Sequence, residues 1–437
     1  MQRTLSFEQG PPIAAPFRYF LSAPLLAAIA GLVAAFAGPD LLATRWSPAL
    51  LAFTHLLTLG FAAMVMVGSL LQILPVVAGI APPRAGWLAA GVHALLLAGT
   101  LLLAAGFVLG QAWPFRLAVP LLGMAFAWLA AAVLRATWGV ADRGAMLPAV
   151  RLAVAALLVT AGLGVALGGA FGWQLALPMV ALTDLHAAWG LAGWIGLLVV
   201  AVAFQVVPMF LVTPVYPASV TARLPRAVFA LLFLLSLDAA WRIAGGSLPE
   251  WPASLVSALL AAALGLFALT TLLLLRRSKR AAVDATRLFW LVSMWSLLAC
   301  AALWWLRLAL PADSAVAERL GMLVGALFLL GFAWSVINGM LYKIVPFLVW
   351  YHLQAQLSGA CGRAPNVKAI LPDATARRQF RLHLAVLAAW IAAVAWPPLL
   401  PAAGILLAAS ALSLWWNLLG ATRMYCRLLA ADRASSA

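Results

Sequence analysis

Residues 47–78 read SPALLAFTHLLTLGFAAMVMVGSLLQILPVVA, thirty-two consecutive positions without a charged side chain. At 1.5 Å of rise per residue a helix of that length spans about 48 Å, more than the ~30 Å of bilayer hydrocarbon. Inside lipid every backbone amide needs a partner within its own helix or in a closed barrel. The stretch lacks two-residue alternation and is dominated by Leu and Ala, so it reads as helix. Runs of ~20 apolar residues recur from end to end of the 437-residue chain. The chain is 66% hydrophobic and only 9% charged, against about 25% charged in soluble domains. The sequence therefore predicts an all-α polytopic membrane protein, one transmembrane domain over 1–437 whose first partner is the lipid bilayer.

Twelve helices are expected, near 17–37, 47–78, 85–109, 114–135, 146–170, 176–211, 225–245, 253–275, 286–310, 320–351, 380–399 and 401–426. Charge tests that count. Twenty-one of the 27 Lys and Arg residues fall at the two termini or in loops after even-numbered helices. The other six are Arg45, Arg116, Arg242, Arg307, Arg319 and Lys343. By the positive-inside rule this predicts that both termini are cytoplasmic. The formal charge of +16 is then topology and contact with anionic head groups, and no nucleic acid is expected. The first apolar stretch is ~21 residues, longer than the 7–15 of a signal-peptide core, so it reads as a retained helix despite Ala35-Phe36-Ala37. Cys300, Cys361 and Cys426 share no CxxC spacing and read as reduced and structural. The longest loop, about 353–379, is polar and broken by Gly362, Pro365 and Pro372.

One pattern returns three times. The second helix carries Gly60-Phe61, then Gln72 and Pro75; the sixth carries Gly193-Trp194, then Gln205 and Pro208; the tenth carries Gly331-Phe332, then Lys343 and Pro346. Glycine to proline is fifteen residues in each, and the Gln or Lys stands three before the proline. A Gly beside an aromatic lets one helix approach another closely, and a Pro frees a carbonyl that a nearby Gln or Lys can satisfy. Ordinary packing and kink positions explain each residue alone, but not the common spacing. The chain reads as three pseudo-repeats of four helices, about 17–135, 146–275 and 286–426.

This architecture resembles subunit I of the heme-copper oxidases, whose twelve helices form three four-helix arcs with ligands on helices 2, 6, 7 and 10. The stretch His55-Leu-Leu-Thr-Leu-Gly60-Phe61, running on to Gly68 and Pro75, also resembles the first motif of the NnrS nitric-oxide-response family, which is heme- and copper-containing. The resemblance implies a bacterial inner-membrane protein with heme b and/or copper, and His55 and His186 as cofactor and metal ligands. Two departures are plain. Where the oxidases carry heme histidines on helix 10, this chain has Gly325-Ala326-Leu327-Phe328, and where helix 7 carries copper histidines it has Leu-Ser236-Leu-Asp238. The usual bis-histidine heme and three-histidine copper centres cannot be assembled from those positions.

A polar group within a span is a functional candidate by default. His55 and His186 both fall in the outer halves of their helices, and each is read equally well as a packed, hydrogen-bonded histidine. Asp184 is a candidate acceptor for the His186 N–H, or a solvated residue at a helix start. His93, His352 and His383 read as structural or interfacial, His383 as part of a basic cluster with Arg377, Arg378 and Arg381. Asp238 and Arg242, four apart, are placed to pair. Arg307 reads as snorkelling to head groups, or as pairing with a heme propionate. Lys343 calls for a carbonyl partner, an anion or a proton. No P-loop, GxSxG, HExxH or CxxCH is present.

Three classes of function follow. The first is a heme- or copper-binding protein of respiration, nitric-oxide response or metal-centre assembly, served by other membrane subunits or an electron-transfer protein, and not a standard oxygen reductase. The second is a cofactor-free permease with Asp184, Gln72, Gln205 and Lys343 along a polar path. The third is a structural or assembly subunit of a membrane complex.

Overall fold

The computed structural model describes residues 11–80, 82, 84–140, 144–280, 282–311, 313–357 and 364–436. It is all-α, with no strand among the described residues. The long helices are α1 (Ala14–Ala37), α2 (48–78), α3 (Ala85–Leu109), α4 (Ala112–Thr137), α5 (Met146–Trp173) and α6 (Met179–Leu211). They continue with α7 (Ala218–Ile243), α8 (Trp251–Arg276), α9 (Ala285–Leu308), α10 (Ala315–Gln356), α11 (Asp373–Ala395) and α12 (Leu400–Ser436). Among the described residues, eleven helices are long and apolar enough to cross a bilayer. The exception is α11, which opens with Arg377, Arg378 and Arg381. The protein is a multi-pass membrane protein.

Several helices outrun their apolar stretches. α7 starts at Ala218 rather than 225, α10 covers Ala315–Gln356 rather than 320–351, and α12 reaches Ser436 rather than 426. Hydropathy delimits the part that crosses hydrocarbon, while backbone hydrogen bonding carries the helix on into the polar zone. The expected loop over about 353–379 is correspondingly shorter and holds a one-turn helix, Val367–Ile370. Cys361 and Gly362 lie outside the described residues.

Consecutive helices pack side by side, and α1 closes the ring against α12. That closure is backbone to backbone. A Cβ on Gly31 would stand 2.6 Å from the Ala408 nitrogen and the Gly404 oxygen, and one on Gly404 would stand 2.5 Å from the Ala35 nitrogen. Gly31 and Ala35 face Gly404 and Ala408, the small-xxx-small arrangement by which membrane helices approach when lipid gives no hydrophobic drive.

The repeated motif has a structural counterpart. α2, α6 and α10 each open into a π-helical segment of eight residues: Leu56–Ala63, Trp189–Gly196 and Leu327–Trp334. The motif glycine is the fifth residue in all three. Each glycine also meets the preceding helix, Gly60 at Leu26 of α1, Gly193 at Ala156 of α5 and Gly331 at Ser296 of α9. The π segment of α10 touches those of α2 and α6, and Phe61 stacks on Trp334 with centroids 4.3 Å apart. The three helices thus meet in the middle of the bundle.

We call the end where α1 begins and α12 ends the terminal face. Burial differs between the two halves. Met179–Ala188 of α6 has no buried residue, and Ala315–Ala326 of α10 has only Ala317. Beyond the π segments, Leu197–Leu211 and Ser335–Gln356 are mostly buried. The terminal-face half is packed core, and the opposite half surrounds a cavity.

Candidate metal-binding cavity

His55 ends the first segment of α2, immediately before its π turns, and His186 lies three residues before those of α6. The His55 Nδ1–H donates to the Leu51 carbonyl one turn back, at 2.7 Å. The His186 Nδ1–H donates to the Thr160 carbonyl of α5, at 3.0 Å. A carbonyl only accepts, so each contact fixes the proton on Nδ1 and leaves the Nε2 lone pair free. The two rings lie 6.1 Å apart between centroids and 23° from parallel, with Phe107 of α3 stacked on His55 at 5.5 Å. Gly164 makes room for the second ring: a Cβ there would stand 3.0 Å from His186 Cε1.

Both imidazoles line a cavity of about 1150 Å³ that opens at the face opposite the termini. Its walls are mostly apolar, with charge near the mouth. Two ion pairs stand there. Arg45, in the α1–α2 connection, meets Asp184 of α6 at 2.5 Å, and Arg242 meets Asp238 of α7 at 2.8 Å. The second is the pair the four-residue spacing predicts. Among the described residues, three N–H donors on cavity-lining residues have no partner: Trp194 Nε1, Trp304 Nε1 and Arg307 Nε. A buried donor without an acceptor costs about 1–3 kcal/mol.

Arg307 does not reach out to head groups as its place near a helix end suggests. It lines the cavity, with its guanidinium 5.1 Å from the centre of the Trp304 ring. Asp184 does not serve His186 either, since it faces Arg45 while Thr160 takes the histidine N–H. Gln72, Gln205 and Lys343 do not line this cavity. Gln72 is buried with Oε1 unpartnered, and Gln205 is half-buried on α6.

Lys343 reaches the Asp284 carboxylate at 2.7 Å, shared with Arg280 at 3.0 Å. Asp284 also caps α9, accepting from the Arg287 N–H. Burial alone would raise this carboxyl; the Lys343 hydrogen bond, the Arg287 N–H and the charges of Lys343 and Arg280 outweigh it and hold it below the usual carboxylate range.

The remaining histidines are packed. His93 bonds Ser22 Oγ through Nε2 and lies edge-on to Tyr19. His383 is no part of the interfacial basic cluster: it is 1% exposed, bonds Ser335 Oγ through Nε2 at 2.7 Å and rests on Phe289. His352 is buried rather than solvated. Cys300 and Cys426 are free thiols. Among the described residues no group of three or more His, Cys, Asp or Glu is arranged to hold a metal ion.

Sequence reasoning passed over Thr160 and Trp304, and it read Arg45 only as a loop charge and Trp194 only as a packing residue of the repeat. A helical wheel would have found one signal, since Cys300, Trp304 and Arg307 fall at i, i+4 and i+7 on α9 and all face the cavity. No protein-family model matches this chain and no curated protein matches it, so its description rests on its own residues: a multi-pass α-helical membrane protein with paired imidazoles in a cavity at one face.

Proposed function

We propose that the chain is a heme- or copper-binding protein of the inner membrane, kin to heme-copper oxidase subunit I and NnrS, in which His55 and His186 hold one metal centre. The observation that carries this is the pair itself: two imidazoles 131 positions apart in sequence, on separate helices, come to 6.1 Å with both Nδ1 atoms tied to carbonyls. Metal-bound histidines commonly hold their second nitrogen this way. Two imidazoles bound to one metal at about 2.0–2.1 Å have centroids roughly 5–6.5 Å apart, and the observed spacing falls inside that range. Among the described residues no third side-chain donor is grouped with them, so a heme, which would need only these two protein donors, fits the pair better than a bare ion. Copper is the second choice.

Such a centre would supply one-electron chemistry or binding of a diatomic gas. The protein would use it in respiration, nitric-oxide handling or metal-centre assembly, with the cavity open to the periplasm and both termini cytoplasmic. Standard oxygen reduction is not proposed, because the helix 7 and helix 10 histidine positions hold other residues. The matched π segments of α2, α6 and α10 support the three-arc ancestry.

The test is a reduced-minus-oxidised visible spectrum with metal analysis on full-length protein purified in mild detergent. A heme or copper signal lost in both His55→Ala and His186→Ala is expected. Protein that stays colourless and metal-free after reconstitution with hemin and with copper refutes the reading.

A further inference from the structure

The same cavity carries a second set of groups that the histidines do not use. On α9, Trp304 and Arg307 stand one turn apart and both face the space. Trp304 Nε1 and Arg307 Nε are buried without partners, and among the described residues the guanidinium forms no hydrogen bond and no ion pair. The other two cavity arginines are each matched to a carboxylate, Arg45 to Asp184 and Arg242 to Asp238. Arg307 is the exception. It is held over the Trp304 ring and packs beside Gly321, where a Cβ would approach Nε to 3.5 Å. Below it the wall is apolar, formed by Leu260, Leu264, Leu297, Val324 and Phe328.

We propose that Trp304 and Arg307 form an anion subsite that takes the carboxylate of a ligand with a large apolar body. A carboxylate offers two oxygens in the plane that a guanidinium edge matches, and the indole N–H adds a further donor. Asp313 and Glu318 also line the cavity, and among the described residues neither forms an ion pair with Arg307. A fatty acid and a porphyrin side chain both offer such a carboxylate, and the subsite is the same for either. It does not rest on the histidines, and either assignment stands if the other falls.

Full-length protein in uncharged lipid nanodiscs is titrated at pH 8.5 with cis-parinaric acid and its methyl ester, and in parallel with hemin and hemin dimethyl ester. The free acid is expected to bind at least tenfold more tightly than its ester in one of the two series, and the series identifies the source. Arg307→Gln should bring acid affinity down to that of the ester and leave ester binding unchanged, with Arg307→Lys recovering part of it. The parinaric preference, if that is the series, persists in the His55→Ala/His186→Ala double variant. Acid and ester binding alike in both series overturns the subsite, and this comparison needs only the unaltered protein. An equal loss of both in Arg307→Gln, matched by Glu318→Gln, makes Arg307 a structural partner of Glu318 and also overturns it.

Discussion

Replacing Gly164 by alanine probes the candidate centre without touching a ligand. Gly164 sits one helical turn beyond Thr160 on α5, and its bare Cα uncovers the Thr160 carbonyl that receives the His186 N–H. Helical side chains lean back over the preceding turn, so any Cβ here begins to close that approach. The added methyl would stand 3.0 Å from Cε1 and 3.6 Å from Nδ1 of His186. Ordinary carbon contact begins near 3.4 Å, so the ring must retreat by about 0.4 Å, twice the roughly 0.2 Å tolerance of a metal–ligand bond. Loss of a contact that orients a ligand typically costs about 10–100-fold in metal affinity. We expect about tenfold for Gly164→Ala, or about 1.4 kcal/mol. Gly162→Ala is the control, because nothing lies within 4 Å of its Cβ. Both changes raise helix propensity by about 1 kcal/mol, so neither should loosen the bundle. The assay is titration of metal-free protein in nanodiscs with hemin and with copper, alongside thermal unfolding. If Gly164→Ala binds as tightly as Gly162→Ala, His186 is not a ligand in the position described.

Three further outcomes are expected. Gly31→Ala and Gly404→Ala should each destabilise by about 1–3 kcal/mol, and the double variant by much less than their sum, since one separation of α1 from α12 accommodates both methyls; additive losses in a denaturant titration contradict the shared contact. The Asp284 carboxyl is held low in the folded state, so its contribution is complete above about pH 4 and fades as pH falls through the folded value. The stability gap between the unaltered protein and Asp284→Asn should therefore be constant from pH 8 to 5 and shrink below 4; a gap unchanged at pH 3 speaks against the network. His383→Ala removes a buried ring and leaves Ser335 with only its longer bond to the Leu330 carbonyl, for a loss of about 2–4 kcal/mol with metal content unchanged; loss of metal at unchanged stability would relocate the site.

The membrane bundle was legible because hydrocarbon thickness fixes the length of each apolar run, and no tertiary detail is needed to see it. The spacing shared by Gly60, Gly193 and Gly331 marked three π segments of common register, since a wide turn and a close helix contact both favour the smallest residue. Meeting of His55 and His186 followed from that register, even though one precedes its glycine by five residues and the other by seven. What stayed hidden involves the backbone or the second helix. The Thr160 carbonyl has no side-chain signature, and Asp184 looked like a histidine partner because Arg45 is 139 positions away. His383 was misread from its arginine neighbours, although Gln379, His383, Val386 and Trp390 mark the buried stripe of α11 at helical spacing.

The uneven burial of α6 and α10 has a mechanical meaning. Above their π turns these helices leave a bowl, and below them they are wedged against α2 into a solid stem. The packed layers of the stem lie between the bowl and the terminal face. Passage to the far side would require prising apart the Phe61–Trp334 stack and the packed layers beneath it. The molecule is shaped as a goblet, hollow at one face and solid beneath.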